Sequence, residues 1–421
     1  MTRNFTKIGL SVLMVVLLVL PVMAGCAKPS EPVPPEEEIL IKVGNIVDFT
    51  SAVSCCGILS DKALRDYFQY LEDENEIPGV KFEVISFDCA LDPGKTSPGY
   101  QFCKGQGMDI MVTCYGQDGV IVKPLAAADR MPHLTYNSNK DIIDPPAWTF
   151  CQVPLVEDVT ASFWAWLIDN WDYKKMGRSP KVAHASWPTA TGLAAGKATE
   201  VYCQSRSDKI ELVSMKDLPM GTVDMTEPAA EWDRLGVDWV FNSAPTPAML
   251  GLVKEKQAKG YGFEIAAADW VFACSQIYLQ IAGPAIVGAH WLTAVGWQPP
   301  LSLEITARYN SAEDIKKLGY DTGLCYWLGQ AFGMQIEDAV KKTIKAGKDP
   351  RNGDALYEQL VKVKNLDTAG IFPPFSYNET RRLGTKQMRM YEMSAPDGMP
   401  KLVEDWFDVV SFDGSTAKYY K

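Results

Sequence analysis

Apolar positions along the chain fall into an alternation of short runs and helical stripes. Ile39 to Ile46 is the first strand-like run, and a polar loop leads from it to Gly57. Ser60 is placed to cap a helix starting at Asp61, with Leu64, Tyr67, Phe68 and Leu71 on one face. Val80–Ser86 alternates as a second strand, and Asp92, Pro93 and Gly94 predict a turn. Asp109–Thr113 reads as a short buried strand, followed by a helix through Val120–Ala128 and a strand at Pro132–Tyr136.

After residue 155 the pattern restarts. It predicts a helix at Val159–Trp171, a strand at Lys181–Ala185 and a helix near Gly192–Tyr202. Strands at Ile210–Ser214 and Val237–Phe241, a helix around Ala248–Lys259 and a strand at Phe263–Ala267 follow. A long helix over roughly Gly323–Ala346 closes at Gly347, and the tail from Met388 to Tyr420 is β-rich in character. Strands alternating with helices at this spacing predict an α/β fold with parallel sheets covered on both faces. Two successive α/β halves with a late helical return suggest two lobes crossed more than once by the chain.

The first 38 residues stand outside this pattern. Arg3 and Lys7 precede a charge-free run from Ile8 to Leu20, which has the form of a secretory signal and is short for a membrane span of ~20 residues. Met23, Ala24 and Gly25 before Cys26 resemble a bacterial lipobox, which makes 1–25 a lipoprotein signal peptide and Cys26 the lipidated residue. An ordinary cleaved signal or an uncleaved anchor is the plainer alternative. The Pro/Glu-rich stretch 26–38 has no apolar periodicity and reads as a semi-rigid tether. The expected location is extracytoplasmic, anchored by lipid to the cell membrane.

Composition narrows the function. A net charge of −11 argues against nucleic acid as a partner. Ten cysteines include Cys26, so nine remain to pair and at least one is left over. There is no C-x-x-C, and only His133, His184 and His290 occur, so no metal site is expected. No G-x-S-x-G or H-E-x-x-H is present, and Gly192–Thr199 lacks one residue of a phosphate loop. Ser186 and His184 are read as facing opposite sides of a strand and so as a poor nucleophile–base couple. The chain is therefore not expected to be an enzyme, and no cofactor is called for.

Several stretches, taken in order, resemble the branched-chain amino acid (Leu/Ile/Val) binding proteins of ABC importers, with the type I periplasmic-binding fold. Asp48 to Gly57 stands where that family has a "PLTG…YG" loop, and Phe87 to Pro93 where it has a "DD…DP" turn. Met111–Gln117, Tyr136–Asn139 and Val240–Pro247 match later strand-and-turn segments. The resemblance covers nearly the whole mature chain and implies two Rossmann-like lobes, 39–154 with 292–378 and 155–291 with 379–421, joined by a hinge of crossing strands. It implies a receptor, taken as a monomer, that closes on a small-molecule ligand and delivers it to an ABC permease and its ATP-binding subunits. The implied ligand is a small amphipathic solute, such as an apolar or aromatic amino acid or a related carboxylate or amide. A ligand-sensing or envelope-assembly lipoprotein with the same fold is the alternative.

Ligands of open parallel sheets bind beyond the carboxyl ends of strands. Tyr115, Gly116, Gln117, Asn137, Ser138, Asn139 and Asn242 are candidates there for a polar or anionic head. Asp269, beside Trp270, stands where the family pairs an acid with a ligand amine, although it also suits a helix cap. Cys56 and Thr189 occupy places where the family often has an aromatic residue, and Trp187 is close to the latter. Trp187, Trp270, Trp291 and Trp297 are candidates for an aromatic cleft, with only one or two expected at the ligand. The resemblance further implies a Cys89–Cys114 disulfide, with Cys103 as competing partner. Cys55 and Cys56 are read as separate residues rather than a vicinal bridge.

Overall fold

The computed structural model describes residues 38–51, 54–268, 281–318, 323–394 and 400–421. The first sheet contains β1 (Ile39–Val47), β2 (Val80–Asp88), β3 (Ile110–Thr113), β4 (His133–Thr135) and β5 (Thr149–Cys151), in the order β2-β1-β3-β4-β5. Strand β1 is parallel to β3, β3 to β4 and β4 to β5. Its helices are α1 (Cys55–Asp73), α2 (Pro93–Gly105) and α3 (Gly116–Asp129).

The second sheet is built from β6 (Lys181–Ser186), β7 (Glu211–Asp217), β8 (Trp239–Asn242), β9 (Glu264–Ala268), β10 (His290–Thr293), β11 (Gln387–Met393) and β12 (Pro400–Asp408). Its order is β12-β11-β10-β9-β8-β6-β7. The pairs from β7 across to β10 are parallel, and the two tail strands add antiparallel. This lobe also holds α4 (Val156–Asn170), α5 (Ala190–Gln204), α6 (Thr226–Leu235) and α7 (Thr246–Lys259). The expected α/β class with two parallel-dominated sheets is what the chain forms.

Helices α8 (Pro300–Tyr309), α9 (Leu324–Lys345) and α10 (Gly353–Leu360) lie between β10 and β11 in the chain. Helix α1 packs closely against α9. A Cβ on Gly329 would stand 2.2 Å from the Ser60 carbonyl oxygen, and one on Gly333 would stand 2.3 Å from Tyr67 Cδ1. The helices meet backbone to side chain with no room between them, and residues 324–336 of α9 are buried all round.

Two boundaries differ from the sequence reading. β10 keeps Leu292 and Thr293 in the second sheet, so the chain returns to the first lobe after Thr293 rather than at 292. Leu383 bridges Cys151 on the outer strand of the first sheet, and the Gly384 N–H donates to the Cys151 carbonyl at 2.8 Å. The last crossing therefore follows Gly384, not residue 378.

Two local readings are also revised. Ser60 is not a cap: α1 begins at Cys55, and the Ser60 hydroxyl donates back to the Gly57 carbonyl inside the helix. Asp92 caps a whole helix rather than a turn, its carboxylate accepting from Gly94 N–H with Pro93 in the first helical turn.

The tail ends against the first crossing. Asp158 in α4 accepts from Phe412 N–H at 2.9 Å, Thr416 Oγ1 at 2.7 Å and the Tyr420 hydroxyl at 2.9 Å. Tyr420 in turn accepts from the Leu155 N–H. Burial holds the Asp158 carboxyl up at about 6, against the pull of these donors.

Candidate functional site

Between the sheets lies a cleft lined from both lobes. Cys55, Cys56, Cys114, Tyr115, Gly116, Gln117, Tyr136, Asn137, Leu324 and Cys325 come from the first-sheet side. Trp187, Thr189, Thr191, Pro245 and Thr246 come from the second. Its volume is about 730 Å³ with the mouth included.

The local folding explains the lining. Cys114 and Tyr115 follow β3, Tyr136 follows β4, Trp187 follows β6, and Pro245 lies just past β8. These are carboxyl ends of parallel strands, where the chain turns into the next helix. As a result the first turns of α1, α3, α5, α7 and α9 all reach the lining. Helix first turns carry N–H groups without intrahelical partners and the positive end of the helix dipole. No charged side chain appears among the described lining residues. The Tyr115 hydroxyl and the Trp187 Nε1–H are buried without a hydrogen-bond partner in the protein. The cleft thus offers neutral donors on an apolar wall.

Of the sequence candidates, Cys56, Tyr115, Gly116, Gln117, Asn137, Trp187 and Thr189 lie on the cleft. Thr189 also caps α5, its hydroxyl accepting from Gly192 N–H, and Gln117 donates to the Leu91 carbonyl. Ser138, Asn139 and Asn242 are elsewhere. Ser138 donates to the carbonyls of Val153 and Pro154 at the first crossing. Asn139 caps the short helix Lys140–Ile143, and Asn242 folds back on the Ala244 carbonyl. Asp269 and Trp270 lie outside the described residues, as do Cys26 and the tether. Trp291 and Trp297 pack against each other with their rings tilted by 45°, and neither lines the cleft, so Trp187 is the described tryptophan that does.

The cysteine reading is corrected. Cys89 and Cys114 are both free thiols, and the bridge is Cys56–Cys325. Cys89 points its Sγ at Asp118 (3.8 Å), whereas the contact of Cys114 is with Cys56 at 3.7 Å. Cys55 is disulfide-bonded too. The second correction concerns Ser186 and His184. Two positions apart in β6 they share a face, but they do not couple. His184 sits between Thr199 and Ser243, while Ser186 donates to the Gly192 carbonyl.

Among the lining residues that sequence reasoning missed are Thr191, Thr246, Leu324 and Cys325. The first two follow strand-end turns and could have been found from that rule. Leu324 and Cys325 arrive from a helix far along the chain, and no local pattern marks them.

Behind the cleft, Asp118 in the first turn of α3 is buried and accepts from Thr96 Oγ1 and Cys89 Sγ. Burial raises its carboxyl from 3.8 to about 7. The folded protein then holds a proton that the unfolded chain releases, so this group's contribution to stability falls as pH rises from about 4 to 7. Asp118→Asn removes that fall. In thermal melts the difference in Tm, variant minus wild type, should climb across this window and level off above it. A difference that stays flat with pH would show that Asp118 does not titrate there.

Comparison with known proteins decides the family. The profile of periplasmic binding proteins matches residues 40–398. The chain belongs to the periplasmic binding protein family. Solved structures agree in fold. One is a branched-chain amino acid ABC transporter protein from Thermus thermophilus with bound valine: TM-score 0.79, 16% identity, covering 91% of this chain and 100% of that one. A fatty acid ABC transporter substrate-binding protein from Thermomonospora curvata gives 0.74 at 18% identity, over 89% and 94%. A solute-binding protein from Rhodopseudomonas palustris BisB5, in complex with 3,4-dihydroxybenzoic acid, gives 0.70 at 20% identity, over 90% and 99%. No curated protein matches the chain significantly. As a periplasmic binding protein, this chain is a solute receptor that works outside the cytoplasm, and its relatives are not enzymes. No helix among the described residues is long and apolar enough to cross a membrane.

Proposed function

We propose that this periplasmic binding protein is the solute receptor of an ABC importer, tethered through a lipid on Cys26, and that its solute is a small carboxylate with an apolar body. The observation that carries the solute class is the cleft's donor set. Helix first turns and the unpartnered Tyr115 hydroxyl and Trp187 Nε1–H meet on an uncharged, largely apolar wall. An anionic head takes up those donors, and an apolar body covers Leu91, Leu324 and Leu328. Apolar or aromatic amino acids and related carboxylates fall in this class. The valine, fatty acid and dihydroxybenzoic acid named for the similar structures are all carboxylic acids. Contacts from both lobes favour the closed form, and that closed form is what a permease would engage.

The test is mass spectrometry of small molecules released from residues 27–421, followed by thermal shift with each candidate. A released carboxylate that raises Tm with concentration supports the reading, since a ligand bound only by the folded state stabilises it. Binding of an uncharged solute with no carboxylate would overturn it. For the solute found, Tyr115→Phe and Trp187→Phe are each expected to weaken binding about tenfold in calorimetry, the loss of one hydrogen bond to a charged group.

A further inference from the structure

Four cysteines line the one cleft: Cys55, Cys56, Cys114 and Cys325. Cys56 is bridged to Cys325 across 269 positions of sequence. Cys114 remains a thiol with its Sγ 3.7 Å from Cys56 Sγ. Cys56 has no proton in the bridge, so Cys114 is the donor of that contact. The three sulfurs come from three places in the fold: the start of α1, the end of β3 and the start of α9. The other described free thiols, Cys89, Cys103, Cys151 and Cys203, are buried away from the cleft.

We infer that Cys114 is a resolving thiol for the Cys56–Cys325 bridge, so that the cleft floor exchanges between two disulfides, Cys56–Cys325 and Cys56–Cys114. In the exchange, Cys114 gives its proton to solvent and its thiolate attacks Cys56 Sγ. The Cys114–Cys56 bond forms as the Cys56–Cys325 bond breaks. Cys325 leaves with the electron pair as a thiolate and takes a proton from solvent. One disulfide and one thiol stand on each side, so no oxidant or reductant is consumed. The first isomer ties α1 to α9, and the second ties α1 to the end of β3 and releases the start of α9. Both helices wall the cleft, so the exchange resets the binding surface whatever solute occupies it.

Burial sets the rate. It pushes the Cys114 thiol up to about 12, and the carboxylates of Asp118 and Asp48 add to this. Exchange is slow in the closed cleft at neutral pH and speeds up as water enters or pH rises.

The experiment is non-reducing peptide mapping of the full chain. Cys325→Ser, oxidised with a glutathione pair at alkaline pH and quenched in acid, should carry a Cys56–Cys114 bridge in most molecules. A folded Cys325→Ser protein in which Cys56 and Cys114 are both alkylated, or Cys56 is capped by glutathione, overturns the inference. Wild-type protein supplies a second reading that needs no variant. Held with iodoacetamide at alkaline pH, it should accumulate label on Cys325 as well as on Cys114. Cys325 that stays unlabelled throughout overturns the inference as well. Neither reading depends on the solute.

Discussion

Gly116→Val is expected to hold the two lobes apart and to weaken solute binding by about tenfold or more, or about 1.4 kcal/mol. Gly116 opens α3 on one side of the cleft, and Thr191 lies in the first turn of α5 on the other. A Cβ on Gly116 would stand 2.4 Å from Thr191 Oγ1. That distance is well inside contact, so Thr191 or the lobe that carries it must move, and Asn137 Cβ already stands at van der Waals distance, 3.6 Å, from the new atom. The clash exists only while the lobes are together. The Tm without solute should therefore change little while the calorimetric Kd rises. Adding Thr191→Ala to Gly116→Val should recover much of the lost affinity. Unchanged affinity in the single variant would mean that solute binds without this approach of the lobes.

The other large effect is expected on stability. Gly329→Val drives a side chain into the Ser60 carbonyl oxygen and the Ala63 methyl, 2.2 and 2.9 Å from the new Cβ. The first obstacle is backbone and cannot rotate away. Helices α1 and α9 must separate, and overpacking of this kind costs about 3 kcal/mol. For a protein of this size the Tm should fall by about 4 °C in calorimetry. Gly105→Ala is the control, since nothing lies within 4 Å of a Cβ there. A Gly329→Val protein that melts with the wild type would show that the two helices are not in close contact.

What the sequence disclosed follows the range of the forces involved. Buried parallel strands such as Ile110–Thr113 announce themselves as apolar runs, because both faces are covered. The stripe of Leu64, Tyr67, Phe68 and Leu71 marks the buried side of α1 for the same reason. Their alternation was enough for the fold class and for the general place of a cleft. The detail of the cleft was less legible, because a polar residue after a strand can serve the turn or the ligand. Asn137 faces the cleft, while Ser138 and Asn139 beside it satisfy backbone at a crossing and a helix start. Local sequence does not separate the three. The pairing of Cys56 with Cys325 depends on α9 returning to α1, a tertiary event that spacing between cysteines does not encode. Resemblance to relatives pointed to Cys89 and Cys114 instead, which are free thiols in contact with Asp118 and Cys56 respectively.

The three crossings also bear on when the molecule can fold during its synthesis. A nascent chain ending at Gly260 holds all five strands of the first sheet but only β6, β7 and β8 of the second, so α1 lacks its partner α9 and β8 lacks β9. Asp158 is then made some 250 residues before Phe412, Thr416 and Tyr420, the groups that satisfy it. Neither lobe can reach its final packing until the last stretch has left the ribosome. A chain that stays loose until its end is made is one that can still be threaded through a membrane pore, and only afterwards fold on the far side.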